Sequence, residues 1–583
     1  MTEYFEVVER DGPARLGTVR LASPQSTPAL CDSFLRTGES QWSGEPALPD
    51  PSEELITMLP SRGFPPGTDD RVIDAFDTDP PAFAGPSGTV ITEQTARDRG
   101  VDVYALSTAQ SIVGHAAAFC ETITAVRGAI PPDTALYLSG VATPANAALL
   151  CFAGVDLLDD TRARILGSQG VYLTRDGRWP LAEVTERPCP CRACRGTTDI
   201  SDRDRCIEHN VNVLTAELAT IRERIRQGSL REYVSAQVRH DPWQTAAFRR
   251  LHHDDDYLLR HEPVYRHRGF NATTDDDLFH PAVQRFSERV TSRYRTHFRS
   301  PLVLLPCSAT KPYSDSQSHK QFQGAIEYRA HRVSLSSPVG VVPQELECTY
   351  PAQHYDVPVT GEWSETERSV VGSSLNAFLD RNEYPRIIAH VAPGPYRELV
   401  AAVADTIDCP LVFTVEDHPT TEQSLQALDN ALTGELKYSR FDRRKNTILA
   451  IADYQFGAGA GQELFGDATF EAPWPKHRVR TGSGELLASM VPEYGLLALT
   501  IAGAKRWEES PIPTKYVEID DFVPHGDVLA PGIRSADETI LVGDEVVVTG
   551  PSAYAVGRAQ MNGVELAAST RGVGVDLRHS EER

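Results

Sequence analysis

The sequence predicts a multidomain α/β fold, and three observations carry that reading. Short apolar runs alternate with helix-like segments over most of the chain, as in repeated β/α units. A C-x-C-x2-C cluster, Cys189, Cys191 and Cys194, interrupts the alternation and is followed by His209, which is metal-ligand spacing. The last segment holds short strands at short intervals, punctuated by Gly and Pro. The expected order is a degenerate TIM-like (β/α) barrel with a zinc subdomain over 1–270, a second α/β domain over 271–435, a small α+β domain over 436–511 and a C-terminal β-barrel over 512–583.

In the first domain, Asp102-Val103-Tyr104-Ala105-Leu106 and Ala135-Leu136-Tyr137-Leu138 read as strands, the second ending in Ser139-Gly140. Pro144 to Phe152 reads as a helix leading into Gly154-Val155-Asp156-Leu157-Leu158-Asp159-Asp160-Thr161, which places acidic groups at a strand's end. A loop of Pro and Arg has no core for three thiols to fill, so Cys189, Cys191 and Cys194 with His209 read as Cys3His zinc ligation, a closed and therefore structural site. His209 is expected to open a helix with apolar residues at Val211, Leu214, Leu218, Ile221 and Ile225, and Cys206 is the rival fourth ligand. Glu232 to His252 and Pro281 to Phe298 read as helices.

The second domain is expected to have strands at Leu302-Val303-Leu304-Leu305, Val333-Ser334-Leu335, Arg386 to Val391 and Pro410 to Val415, with helices at Ser369 to Arg381 and Tyr396 to Val403. Thr447 to Asp453 reads as a strand followed by the glycine loop Gly457 to Gly461; that loop lacks a phosphate-binding fingerprint and reads as a tight turn. Lys515 to Ile519, Glu545 to Thr549, Ala553 to Ala559 and Gly574 to Leu577 read as the strands of the last barrel.

The densest chemistry is Pro306-Cys307-Ser308-Ala309-Thr310-Lys311-Pro312-Tyr313-Ser314-Asp315-Ser316-Gln317-Ser318-His319. It follows the first of those strands, where α/β sheets place ligand sites. Lys311 is the first lysine in the chain; every earlier cation is Arg or His, which points to a need for an amine beside Cys307. The plain alternative is a solvated loop with a buried cysteine.

Net charge is -24, and lysine is scarce throughout. The runs Asp254-Asp255-Asp256 and Asp275-Asp276-Asp277 fit a haloarchaeal-like composition suited to a salt-rich cytoplasm, where repulsion is screened within a few ångströms. An RNA partner is therefore not excluded, but its phosphates would meet local Arg clusters: Arg222 to Arg231, Arg285 to Arg299 and Arg440 to Lys445, each of which reads equally as an exposed helix face. No apolar run is long enough to span a bilayer, and Met1-Thr2-Glu3-Tyr4-Phe5-Glu6 lacks a signal peptide's basic flank and apolar core, so a cytoplasmic protein is expected. Ten cysteines, four of them within Cys189 to Cys206, favour metal over disulfides there.

These residues carry a resemblance. The zinc loop, the segment Arg224-Ile225-Arg226-Gln227-Gly228-Ser229-Leu230-Arg231-Glu232-Tyr233-Val234, and Gly154-Val155-Asp156-Leu157-Leu158-Asp159 resemble archaeal tRNA-guanine transglycosylase. Ile451-Ala452-Asp453-Tyr454-Gln455-Phe456-Gly457 resembles the domain before that family's RNA-binding end, and the C-terminal barrel resembles a PUA domain. The family's Asp-Ser-Gly-Gly type segment is missing, with Ser61-Arg62-Gly63-Phe64-Pro65-Pro66-Gly67 in its place, while Asp159 matches the position of the family's covalent nucleophile. The pattern P-C-x3-K-P-Y-x2-S-x2-H is similar to the mark of archaeosine synthase, the transglycosylase paralog of alpha-subunit type. Its companion stretches Ser337 to Glu347 and Tyr355-Asp356-Val357-Pro358-Val359-Thr360-Gly361 resemble that family too.

The resemblance implies an enzyme acting on tRNA that carries 7-cyano-7-deazaguanine (preQ0) in its D-loop. It would convert the nitrile towards the amidine of archaeosine with glutamine, ammonia or lysine as nitrogen donor. A homodimer and a partner enzyme completing the modification are expected. In this reading Cys307 is the nucleophile, Lys311 or His319 supplies positive charge, His319 passes a proton, Tyr313 and Ser316 orient donor or intermediate, and Asp159 holds the base or is structural; the competing assignment gives the motif only donor binding, with direct attack by the amine. The rival functions are preQ0 insertion by base exchange and non-catalytic tRNA binding.

Overall fold

The computed structural model describes every residue except 1–2, 38–47, 66, 196–201, 254, 359–361, 405 and 408. Met1, Thr2, Pro66, Asp254 and Val359-Thr360-Gly361, named above, lie outside the described residues. The chain forms two compact units. Unit 1 is Met1–Glu262 with Leu529–Ile533 and Asn562–Gly574; unit 2 is Pro263–Val528 with Arg534–Met561 and Val575–Arg583.

Unit 1 opens with an antiparallel meander, Phe5–Asp11, Ala14–Val19 and Gln25–Thr27, where alternating strands and helices were expected. Its first hairpin turns at Asp11-Gly12-Pro13, with Gly12 at φ +62°, a left-handed conformation glycine adopts without strain. A seven-stranded sheet follows: β1 (Ala29–Leu30), β2 (Leu35–Thr37), β3 (Ile56–Met58), β4 (Ser87–Ile91), β5 (Val103–Leu106), β6 (Ala135–Leu138) and β7 (Leu157–Leu158). The order is β1-β7-β6-β5-β4-β3-β2, every pair parallel. The two edge strands are β1 and β2, neighbours in sequence joined only by Cys31 to Phe34, so the sheet curls until its edges nearly meet. That is the degenerate barrel, with strand C-termini gathered at one mouth. The segment read as one helix from Glu232 to His252 is two, Leu230–Gln237 and Pro242–His253, because Pro242 lacks the N–H a continuous helix needs.

Unit 2 is built on a five-stranded sheet. Its strands are β8 (Leu302–Pro306), β9 (His331–Ser336), β10 (Gly340–Pro343), β11 (Ile387–Ala389) and β12 (Leu411–Phe413), in the order β10-β9-β8-β11-β12. All pairs are parallel except the β9–β10 hairpin. β8 is buried along Leu302 to Leu305 because sheet neighbours and helices cover it on all sides, which is why it reads as an unbroken apolar run. From β8 the chain goes one way to β9 and later returns on the other side to β11, so the connection reverses direction at β8. The crevice between β8 and β11, outside their C-terminal ends, is the topological switch point at which open α/β sheets bind ligands.

Two elements of unit 2 differ from expectation. The helix from Pro281 stops at Ser292. The run Thr447 to Asp453 is not a strand but the buried centre of α1 (Arg440–Phe456), which starts on a Ser439–Asp442 capping box. Gly457 and Gly459, at φ +133° and +85°, make the tight turn out of it. An antiparallel sheet of Thr469–Glu471, Arg478–Arg480, Leu486–Val491 and Leu496–Leu499 completes the small α+β region. The C-terminal strands form a six-stranded, nearly closed sheet, as the strand spacing predicts. Among the described residues no helix is long and apolar enough to cross a membrane.

Candidate active site

Cys307 is the first residue after β8, and its Sγ lies 3.2 Å from the hydroxyl of Tyr396. Tyr396 stands in the first turn of α2 (Pro395–Ala404), the helix that follows β11. The thiol and the phenol therefore come from the two strands that flank the switch point. Burial, and beyond it the Cys307 sulfur, push the Tyr396 phenol far above its ordinary range, so it stays protonated, and either group can donate in the bond between them. The Trp363 ring packs on Tyr396 with centroids 4.4 Å apart. A cavity of about 510 Å³ opens beside the pair, and Asp275, Glu362, Glu367 and His418 line it together with Cys307, Trp363 and Tyr396. Two of the carboxylates are anchored: Glu367 accepts from Ser337 Oγ at 2.5 Å and Asp275 from Ser364 Oγ at 3.1 Å.

The other motif residues divide by role. Lys311 Nζ sits over the Tyr355 ring, 4.0 Å from its centroid, a cation–π contact. Burial lowers the Lys311 ammonium below the usual lysine range, while Cys307 and Asp356 act to hold its proton on. Tyr313 is buried; its hydroxyl is 2.5 Å from that of Tyr355, which also bonds Ser336. Ser316 Oγ accepts the His319 amide at 3.2 Å and caps α3 (Gln317–Ile326). It is committed to the backbone and is not a free hydroxyl for a donor or intermediate. His319 is buried and stacked on Tyr313, and its Nε2–H donates to the Pro306 carbonyl at 3.0 Å. Burial, with Arg332 adding to it, lowers the imidazole to about 4. His319 is neutral at pH 7 and does not supply the positive charge expected of it; Lys311 remains as the cation near the thiol. The motif thus places Cys307 on the cavity and Lys311 on the Tyr355 ring, with Tyr313, Ser316 and His319 holding the strand-to-helix turn between them and α3.

Asp159 lies in unit 1, at the C-terminal end of β7 and buried. Its Oδ2 accepts from Tyr137 Oη at 2.7 Å and Gly140 N at 2.8 Å, and its Oδ1 from Thr161 N at 3.0 Å. Asp32, which the sequence reading missed, follows β1 at the same mouth and accepts the Asp160 amide at 3.0 Å. Burial first, then Asp160 and Asp159, raise the Asp32 carboxyl. Ser61 to Pro65 follow β3 at the same end of the barrel, where Ser61 Oγ accepts the Val90 amide at 3.0 Å.

Cys189, Cys191, Cys194 and His209 converge, with all four candidate ligand atoms within 4.8 Å of one another. His209 Nδ1 is 3.3 Å from Cys194 Sγ and 3.6 Å from Cys191 Sγ. Its Nε2–H donates to the Leu173 carbonyl at 2.9 Å, which leaves the Nδ1 lone pair aimed at the thiols. Burial, with Cys191 and Cys189 adding to it, pushes the Cys194 thiol up to about 12, so clustered thiolates here call for a cation. The residues fit a metal ion. His209 sits in the second turn of its helix, Arg203–Arg226, not the first; that helix starts earlier because Asp202 caps it. Cys206, on the same helix, turns away and donates to the Val171 carbonyl at 3.3 Å.

Comparison with known proteins matches this arrangement. The Queuine tRNA-ribosyltransferase family matches residues 89–242, a domain of unknown function (DUF5591) residues 283–432, the patch-forming domain C2 of tRNA-guanine transglycosylase residues 446–513, and the PUA domain residues 517–580. The archaeosine synthase of Haloferax volcanii is 52% identical over 100% of both chains. The chain belongs to the archaeosine synthase family. It is 38% identical to the archaeosine synthase subunit alpha of Methanosarcina acetivorans over 99% of each chain. The tRNA-guanine(15) transglycosylase of Methanobrevibacter smithii is 26% identical over 75% of this chain and 65% of its own. As an archaeosine synthase family enzyme, the chain carries the Cys307 motif in the segment that matches the domain of unknown function, and Asp159 and the metal cluster in the transglycosylase segment.

Tyr396 is the residue that sequence reasoning missed in this archaeosine synthase family site. Its signal is the turn Pro393-Gly394-Pro395 directly after an apolar strand, the same strand-then-turn pattern that marks Cys307.

Proposed function

We propose that this enzyme modifies tRNA in archaeosine biosynthesis by adding an amine donor to the nitrile of tRNA-borne preQ0, with Cys307 as nucleophile. One observation supports the reading: the Cys307 thiol lies 3.2 Å from a protonated phenol at the switch-point cavity, with Lys311 four residues further along the same turn. The Cys307 sulfur adds to the nitrile carbon, forming the C–S bond of a thioimidate while the nitrile nitrogen takes a proton. The donor amine then attacks the same carbon, the C–S bond breaks, and the amidine leaves Cys307 as it began. Lys311 counters charge on the attacking sulfur and is assigned as a proton source, since burial has already weakened its hold on a proton. The Tyr396 hydroxyl donates to the sulfur in both steps and steadies it as a leaving group.

The cavity's carboxylates, Asp275, Glu362 and Glu367, favour a donor that arrives as a cation, lysine or ammonium, over glutamine. Residues 436–511 and the PUA-like 512–583 are assigned to gripping tRNA by shape and phosphates, with the 1–270 barrel for the extruded base and 271–435 for the chemistry. Asp159 is assigned to positioning, because its oxygens are occupied by internal donors, which disfavours base exchange. Zinc is the metal we assign to Cys189, Cys191, Cys194 and His209, where it ties the loop to the helix. We place the enzyme in the cytoplasm, as a homodimer, with a further enzyme acting on its product.

The test is mass spectrometry of preQ0-bearing tRNA incubated with the protein and lysine, glutamine or ammonium in turn. A mass gain equal to one added donor supports the reading, and a Cys307→Ala protein with undiminished turnover rules out the covalent route.

A further inference from the structure

A second cavity in unit 2, of about 560 Å³, has the opposite charge. Five cations line it, Lys320, Arg332, Arg440, Arg443 and Arg444, against a single carboxylate, Glu347. The chain as a whole has 81 Asp and Glu against 57 Lys and Arg, so this concentration runs against the composition. The Arg443 guanidinium stacks on the Tyr328 ring, 3.6 Å from its centroid, and its Nε is buried with no hydrogen-bond partner among the described residues. Arg440, Arg443 and Arg444 lie in the first turns of the 17-residue helix α1, where the positive end of its dipole adds to theirs. Trp474, 37% exposed, stands at the rim beside His477.

A bare inorganic anion would use the guanidinium groups and leave the indole without purpose. A flat apolar ligand would use the indole and find the arginines costly. Guanidinium groups grouped with an exposed aromatic face are the pairing that binds a phosphate and the base attached to it. The volume lies within the range of sites for such ligands, about 300–1,000 Å³. We propose that this cavity receives one nucleotide of the substrate RNA, its phosphate among Arg440, Arg443 and Arg444 and its base against Trp474. The proposal rests on the reading of tRNA as substrate and adds a grip in unit 2 itself. His319 and Ser314 of the Cys307 motif line the same cavity, so a nucleotide bound there touches the segment that carries the thiol.

The experiment is fluorescence-anisotropy titration of the full-length protein with unmodified tRNA transcript over a range of KCl in which circular dichroism shows it folded. Arg440→Glu with Arg444→Glu is expected to weaken binding at least tenfold and to lower the slope of log Kd against log[KCl] by roughly 1 to 2. Trp474→Ala is expected to weaken binding roughly tenfold and leave the slope alone. Arg71→Glu, an exposed change of like charge in unit 1, is the control and is expected to do little. If wild-type protein binds tRNA and both sets of variants match it, the inference fails while the functional reading stands. If wild-type protein does not bind tRNA, both fail. Competition by millimolar free AMP with no effect of the variants on tRNA binding shows a site for a free nucleotide, and also overturns the inference.

Discussion

Removing the Tyr396 hydroxyl is the sharpest probe of the thiol chemistry. Tyr396→Phe deletes one donor 3.2 Å from Cys307 Sγ and keeps the ring packed on Trp363, so stability is expected to change little. The loss falls on the steps in which the sulfur carries charge. A hydrogen bond to a charged group is worth about 1.5–3 kcal/mol. At about 1.4 kcal/mol per factor of ten, the rate of nitrile consumption is expected to fall roughly tenfold to a hundredfold. Single-turnover conversion of preQ0-bearing tRNA at saturating donor, followed by mass spectrometry, measures it without product release. In a Cys307→Ala background the same change is expected to leave the residual rate unaltered, because the two groups act through one bond. A Tyr396→Phe rate within twofold of wild type, or a loss of equal size with Cys307 absent, refutes the assignment.

Three further outcomes are expected. His319 stays neutral in the folded state down to about 4, whereas an unfolded histidine protonates near 6.5; the unfolded state binds more protons between those values, so stability falls as pH drops through that window, by about 3 kcal/mol in all. Denaturant melts at pH 7, 5.5 and 4.5 are expected to show a flatter dependence for His319→Gln, and an unchanged slope refutes the buried neutral imidazole. Cys194→Ser is expected to lose bound metal, read by elemental analysis, and to lower the melting temperature; full metal content in that variant refutes the ligand set. Asp159→Asn is expected to lower stability by about 1–3 kcal/mol, since an amide cannot satisfy all three donors, and wild-type protein is expected to incorporate no radiolabelled guanine into unmodified tRNA. Measurable exchange revives Asp159 as nucleophile.

What could be read from the sequence depended on whether the signal was local. Cys189, Cys191 and Cys194 are close in sequence and His209 follows on a periodic helix, so the cluster was legible from spacing alone. Cys307 was legible because β8 is an apolar run ended by a turn. Asp32 was not, because it gains meaning only from β1 lying beside β7; Tyr396 has a strand-then-turn signal of its own, but its place beside Cys307 depends on the pairing of β8 with β11, which local pattern does not encode. Thr447 to Asp453 misled for the opposite reason. Every residue from Asn446 to Tyr454 is buried, so no polar face marks the helical period, and a short all-apolar run reads the same in a strand. The deciding signal lies earlier, in the Ser439 and Asp442 capping box.

The carboxylate-bearing and arginine-bearing cavities of unit 2 explain why the motif is longer than a nucleophile needs. Pro306 to Ala309 line the carboxylate-bearing cavity, while Ser314, His319 and Lys320 line the arginine-bearing one. One fourteen-residue segment, Pro306 to His319, therefore forms a wall of both. The His319 bond to the Pro306 carbonyl joins the two faces, so a shift of helix α3 on one side moves the residue before the thiol on the other. A cationic donor is drawn to the first cavity and repelled from the second; for an RNA phosphate the preference is reversed. On the proposed function, opposite charge on the two sides of one segment would sort a small amine from a polyanion before either reached the sulfur. A thiol in a cavity lined by arginines instead would draw the RNA backbone onto the place the donor has to occupy. Tyr313 and Ser316, which touch neither reactant in this account, are then needed to keep that wall rigid between two ligands of opposite charge.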